Sequence, residues 1–159
     1  MSIVIYTDGS AKGNPGNGGY GIVMKSGAYR KELKQGFRLT TNNRMELLAV
    51  IVALESVKKR GVDILVYSDS KYVVDSVEKK WVFGWEKKGF RGKKNSDLWV
   101  RFLDVYKKHK VSFCWVKGHA NNKENERCDV LAVEAAESTP LKVDKWYEHN
   151  VFNKENRRL

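Results

Sequence analysis

The sequence predicts an α/β fold: a five-stranded mixed sheet with helices on both faces. Three observations point there. Three β-branched segments separated by turns come first, a long apolar helix pattern follows, and short strands then alternate with helices as far as residue 137. Residues 3–8 (IVIYTD) are apolar and β-branched, and residues 19–25 and 29–39 have strand composition on either side of the Ser26-Gly27 turn. These three predict an antiparallel meander. From residue 43 the chain reads NRMELLAVIVALESVKKRG, apolar at 45, 47, 48, 51, 52, 54 and 57, which predicts a helix with Thr41 or Asn42 as N-cap and Gly61 past its end. Residues 63–67 (DILVY) read as a short buried strand, 71–80 and 97–108 as helices, 111–116 as a strand and 126–137 as the last helix. Residues 1–140 are expected to form one domain, and 141–159 a polar C-terminal tail whose Trp146, Tyr147 and Phe152 leave docking and mobility both open.

A chain of 159 residues is the size of one ordinary domain, and 42% hydrophobic residues with only 2 prolines exclude a disordered chain. The longest apolar run, Leu47 to Leu54, falls far short of the roughly 20 residues that cross a bilayer. No basic segment leads into an apolar stretch at the start, so the expected location is cytoplasmic. Cys114 and Cys128 are expected to be reduced thiols. The net charge of +11 attracts polyanions, with nucleic acid the leading partner class and a basic surface kept for solubility the alternative. Distribution favours the first. Between Lys79 and Lys94, seven basic residues face a single acid, interleaved with Trp81, Phe83, Trp85 and Phe90.

Four acids stand where a solvated carboxylate would be odd. Asp8 ends the first strand, Asp69 follows the buried strand, Glu46 lies among apolar residues in the first helix, and Asp129 begins the last helix. Each has an ordinary local reading: Asp69 or Asp129 as a cap, Asp8 as a turn former, Glu46 as a first-turn acid. Together they suggest more. If the first and fourth strands are neighbours, Asp8 and Asp69 lie side by side with Glu46 across the same end, and repulsion raises their pKa values unless cations compensate. An all-oxygen set suits two Mg²⁺ ions, with Mn²⁺ as a substitute, and such a pair clamps both oxygens of an in-line phosphodiester displacement.

These residues carry a family resemblance. The stretches YTDGSAKGNPGNGGYG, TTNNRMELLAVIVALE, YSDSKYV, the W-x₃-W-x-K-x-G-F of the basic run, and DLW followed by WVKGHANNKENERCD resemble type 1 ribonuclease H in order and across positions 6–129. The resemblance implies a ribonuclease H-like fold and an endoribonuclease that cuts the RNA strand of RNA–DNA hybrids. It also implies Asp8, Glu46, Asp69 and Asp129 as metal-binding carboxylates, and His119 as a loop histidine assisting proton transfer and product departure. A group titrating near neutrality suits that task. Glu124 is the other acid of this loop, able to attract a metal transiently or simply solvated.

Reading a hybrid requires contacts to its backbone and to the RNA 2′-hydroxyl. By resemblance, Asn14, Asn42 and Asn43 lie near the scissile strand and adjacent DNA, and Thr41 helps hold a DNA phosphate. Asn42 and Asn43 also read locally as helix starters. Lys71 stands where many bacterial relatives carry glutamine, and a cation there suits phosphate. Trp81, Trp85, Lys87, Lys88, Arg91, Lys93 and Lys94 fall in the family's basic protrusion, whose aromatics are expected to pack its base and whose cations neutralise phosphates. A monomer acting on the hybrid duplex is expected. Gly16, Gly18 and Gly21 satisfy G-x-G-x-x-G, yet a strand follows where a dinucleotide fingerprint needs a helix; Gly13, Gly16, Gly18 and Gly19 fit a hairpin loop instead. A zinc site on Cys114, His119 and Cys128 lacks paired-ligand spacing.

Overall fold

A computed structural model describes residues 2–119 and 122–156. Strands β1 (Ser2–Ala11), β2 (Gly16–Ser26) and β3 (Tyr29–Thr40) form the meander. Helix α1 (Asn42–Glu55), strand β4 (Asp63–Ser68), helices α2 (Lys71–Glu78), α3 (Trp81–Lys87) and α4 (Ser96–Tyr106), strand β5 (Lys110–Trp115) and helix α5 (Lys123–Glu137) follow. A short 3₁₀ turn spans Lys117–His119, and helical pieces Lys145–Tyr147, Glu148–Phe152 and Asn153–Asn156 complete the described chain. The sheet order is β3-β2-β1-β4-β5, with β1 antiparallel to β2 and parallel to β4, so the sheet is mixed. Among the described residues no helix is long and apolar enough to cross a membrane.

Alternation along the strands divides the apolar residues between two faces. Ile5, Ile22, Ile64 and Val66 lie under Leu47, Val50, Ile51 and Leu54 of α1 in the larger core, which Trp99 and Phe102 of α4 extend. Helix α1 is buried almost all round because it lies between the sheet and α4, and its apolar residues therefore occupy more than one stripe. On the opposite face Val23 meets Cys128 and Leu131 of α5.

Several predicted boundaries move for local reasons. Helix α1 stops at Glu55 instead of running toward Gly61, because the Ser56 hydroxyl donates to the Ala53 carbonyl at 2.7 Å and closes its last turn. The stretch predicted as one helix over 71–80 ends at Glu78, and Lys80 at φ +65° separates it from α3, which sequence reasoning missed. Helix α5 starts at Lys123, not 126, since the Asn122 side chain accepts from the Asn125 amide at 3.1 Å. Asp129 thus stands well inside that helix. Gly16, Gly18 and Gly19 belong to β2 and not to the hairpin loop.

The segment after Pro140 docks. Lys142 donates its amide to the Gly36 carbonyl at 3.0 Å and accepts from the Arg38 amide at 2.9 Å, extending the β3 edge. Next to it, the buried Arg44 guanidinium holds Asp144 at 2.7 Å and Asp97 at 2.7 Å, tying α1, α4 and the C-terminal segment together. Its face also meets Trp146 at 5.1 Å.

Candidate active site

Strand register brings the first two carboxylates together. β1 and β4 run parallel with Tyr6 beside Tyr67, and two residues further along, the same offset sets Asp8 against Asp69. The third arrives from above. A Cβ on Gly9 would lie 2.4 Å from the Met45 carbonyl carbon and 2.5 Å from the Glu46 nitrogen, so α1 approaches β1 this closely only over glycine. Carboxylate oxygens of Asp8, Glu46 and Asp69 consequently all lie within 4.8 Å of one another.

Asp129 reaches the same place from the other face of the sheet. Gly21 pairs with Asp8 across β1 and β2, and a Cβ there would lie 2.3 Å from the Cys128 carbonyl oxygen, so α5 rests on bare backbone next to Asp8. Three ion pairs to β3 fix this helix: Arg127 with Glu32 at 2.8 Å, Arg30 with Glu124 at 2.8 Å and Lys34 with Glu134 at 3.1 Å. Asp129 is exposed and lies outside the 4.8 Å trio, but it lines the same open cleft, about 410 Å³, as Asp8, Glu46 and Asp69.

The ordinary capping readings do not account for these acids. Thr41 caps α1, Ser70 caps α2 and Asn122 caps α5. Asp8 accepts from the Gly9 amide at 2.9 Å, and Glu46 Oε2 is buried with no hydrogen-bond partner among the described residues. Burial, reinforced by Asp8 and Asp69, holds the Glu46 carboxyl well above the usual carboxylate range. An orphaned, desolvated carboxylate oxygen facing two further acids is the donor set a hard divalent cation completes. The residues fit a Mg²⁺ or Mn²⁺ site.

This shift has a measurable sign. The folded protein keeps a proton on Glu46 that the unfolded chain releases near pH 4, so the associated stability is complete below about pH 4 and is lost as pH rises through the folded value. Glu32 and Glu124, held down to about 2 by Arg127 and Arg30 respectively, act oppositely, but their contribution is complete above about pH 5. His109, whose pKa burial lowers, acts oppositely over the same window, so the Glu46 effect is read as a difference: in metal-free protein the melting temperature of wild type relative to Glu46→Gln is expected to fall with rising pH above that point. A slope unchanged in the variant would contradict the assignment.

Gly9→Ala supplies a second test. The clash is with helix backbone, so α1 must lift and carry Glu46 away from Asp8, and a displacement near 1 Å costs on the order of 100-fold in rate. Hybrid cleavage is expected to fall by about that factor; retention of full activity would show that the close approach is unnecessary.

The other predicted residues distribute as follows. The His119 backbone closes the 3₁₀ turn after Gly118, while its side chain lies outside the described residues. Glu124 is engaged by Arg30 and Lys25 on the β3 side of α5, which removes it from the cleft. Lys71 lines the cleft with its ammonium 4.5 Å over the Trp115 ring, and the Trp115 indole donates to the Asp69 carbonyl at 3.1 Å. Asn42 joins the start of α1 to the β1–β2 turn: its side-chain oxygen accepts from the Ala11 amide and its own amide donates to Asn14 Oδ1 at 2.9 Å. Asn43 is exposed between the carboxylate cleft and a neighbouring cavity, and Thr41 lines that cavity.

In the basic run, Trp85 packs edge-on against Trp99 with Lys93 5.0 Å from its ring, Phe83 meets Tyr106, and Phe90 is buried. The aromatics do pack the base; Trp81, 47% accessible, is the exception. Lys87, Lys88, Arg91, Lys93 and Lys94 are all exposed. Two residues of the site neighbourhood escaped the sequence reading. Tyr72 lines the cleft and its hydroxyl accepts from Asn95 at 3.0 Å and Trp99 at 2.9 Å, and Arg44 anchors Asn95 and Asp97. Both cysteines are free thiols, with Cys128 buried and its thiol pushed up by that burial, and no helix follows Gly21.

Comparison with known proteins agrees with this geometry. The family model for RNase H matches residues 1–137. A protein of Shewanella amazonensis named Ribonuclease H is 56% identical over 151 residues, covering 92% of this chain and 96% of that one. LC9-RNase H1, a solved type 1 RNase H with the type 2 active-site motif, superposes with a TM-score of 0.75 at 32% identity, over 85% of this chain and 72% of its own. LC11-RNase H1, solved in complex with RNA/DNA hybrid, gives a TM-score of 0.69 at 25% identity, over 86% and 97% of the two chains. Acidic cleft, glycine-seated helices and basic face thus occur in a chain that belongs to the ribonuclease H family.

Proposed function

We propose that this protein is an endoribonuclease that hydrolyses the RNA strand of RNA–DNA hybrids without sequence preference, leaving 5′-phosphate and 3′-hydroxyl ends. The observation that carries the reading is the convergence of Asp8, Glu46 and Asp69 within 4.8 Å on a cleft that Asp129 also lines. Asp8, Glu46, Asp69 and Asp129 would hold two Mg²⁺ ions, with Mn²⁺ able to substitute. When bound, such a pair supplies charge neutralisation at both the attacking and the leaving oxygen of an in-line displacement. Glu46, desolvated and next to two other acids, would be held as a carboxylate by such cations. His119 carries a proton to the departing 3′-oxygen.

Substrate recognition in this reading belongs to uncharged amides near the cut strand and to cations along the other. Asn14, Asn42 and Asn43 contact the backbone beside the scissile bond, Thr41 a DNA phosphate, and Lys71 a phosphate next to the carboxylates. Trp81, Trp85, Lys87, Lys88, Arg91, Lys93 and Lys94 grip the DNA strand, giving salt-dependent, base-independent affinity. The protein works as a cytoplasmic monomer. Labelled hybrid, single-stranded RNA and DNA duplex, each incubated with Mg²⁺ or with chelator, test the reading. Shortening of RNA in the hybrid alone, and only with Mg²⁺, is expected. Hybrid that is bound yet keeps its RNA intact in Mg²⁺ would reduce the protein to a binding module.

A further inference from the structure

A cavity of about 600 Å³ lies on the far side of the α1 N-terminus from the carboxylates. Asn14, Thr41, Lys93 and Lys94 line one side, and the C-terminal segment closes the other with Trp146, Asn150 and Lys154. Asn43 lines both this cavity and the carboxylate cleft, so the two are adjacent along one surface. Lysines enter from both walls against Glu155, the one acid among its described lining residues, which makes it a groove for a polyanion. Its outer wall is held in place: Asp144 by the buried Arg44 at 2.7 Å, Trp146 under the same guanidinium, and Glu148 by Arg38 at 2.8 Å.

We infer that the C-terminal segment forms a second binding wall, in which Lys154 and Asn150 hold the phosphodiester backbone of the uncut DNA strand opposite Lys93 and Lys94. This rests on the hybrid-cleaving reading: with the RNA strand at the carboxylates, the partner strand has an adjoining path past Asn43 into this groove. The exposed Lys154 ammonium supplies a phosphate contact and the Asn150 amide a neutral donor beside it.

The test is hybrid affinity over a salt series in chelator. Lys154→Ala is expected to weaken binding about threefold near physiological salt and to lower the slope of log affinity against log salt by about one. Lys154→Arg is expected to restore both. Lys142→Ala, removing an exposed lysine of the same segment outside the cavity, is expected to change neither. Neutral methylphosphonate linkages walked along the DNA strand identify the contact: at one position wild type loses what Lys154→Ala has already lost, and the variant loses nothing more. Equal effects of Lys154→Ala and Lys142→Ala, or this coupling found in the RNA strand instead, would overturn the inference. Cleavage of the same hybrid by wild type in Mg²⁺, scored in parallel, separates the two claims. Without it the hydrolase reading falls, whereas with it a failed salt series removes only the C-terminal wall.

Discussion

Asp8→Asn is expected to abolish hybrid cleavage, by about 1000-fold or more, and at the same time to make the metal-free protein more stable. In the proposed reading Asp8 would help hold cations that supply several kcal/mol of transition-state stabilisation, and each 1.36 kcal/mol is tenfold in rate. The stability gain has a separate cause. Asp8 is buried, its oxygen lies within 4.8 Å of those of Glu46 and Asp69, and after burial its charge is the main cause that holds Glu46 above the usual range. An amide keeps the acceptor that meets the Gly9 N–H and removes the repulsion, which is worth about 1–2 kcal/mol in the absence of metal. Adding Mg²⁺ should then stabilise wild type more than the variant. Thermal unfolding with and without Mg²⁺, alongside hybrid cleavage, measures all of this. A variant less stable than wild type without metal would contradict the electrostatic account, and one that still cleaves would remove Asp8 from the site.

The largest purely structural effect is expected at Arg44. Its guanidinium is buried and makes paired contacts to Asp97 at 2.9 and 2.7 Å and to Asp144 at 2.7 and 3.0 Å, with Asn95 Oδ1 at 3.3 Å. Removing one member of a buried ion network leaves its partners desolvated and uncompensated, which costs roughly 3–5 kcal/mol. In a chain of this size that is a fall in Tm on the order of 10 °C for Arg44→Ala. Arg44→Lys should recover only part of it, since an ammonium cannot serve two carboxylates with a planar fork. Because Asp144 holds the C-terminal segment, limited proteolysis should cut Arg44→Ala first after residue 140. A loss below about 1 kcal/mol, with the segment still protected, would show that the apolar contacts of Trp146 and Tyr147 suffice.

The contrast between these two sites explains what was legible in the sequence. Asp8, Glu46 and Asp69 each sit in a short stretch whose residue types also dictate the local structure: a β-branched strand into Asp8-Gly9, an apolar helix through Glu46, a buried strand into Asp69-Ser70. The fold class and the adjacency of the first and fourth strands could therefore be anticipated. Arg44 could not, because it reads as an ordinary helix charge until Asp97 and Asp144, 53 and 100 residues away, fold onto it. Helix α3 was hidden for a different reason: its boundary depends on Lys80 adopting a left-handed conformation, which side-chain type does not announce. Helix α5 starts three residues before the expected position because Lys123, Glu124 and Asn125, loop-like by residue type, are made helical by an Asn122 cap and an acidic first turn. The glycines that seat the helices, Gly9 under α1 and Gly19, Gly21 and Gly36 under α5, are visible in the sequence as residues but not as contacts.

The central claim is that acids from β1, α1, the end of β4 and α5 form one cage for divalent cations. Anomalous diffraction from crystals grown in Mn²⁺ with an uncleavable hybrid tests it most directly. Peaks bounded by the carboxylates of Asp8, Glu46 and Asp69, one of them within reach of Asp129, are the expected result. Mn²⁺ bound elsewhere, with the cleft between these carboxylates vacant, would contradict the account.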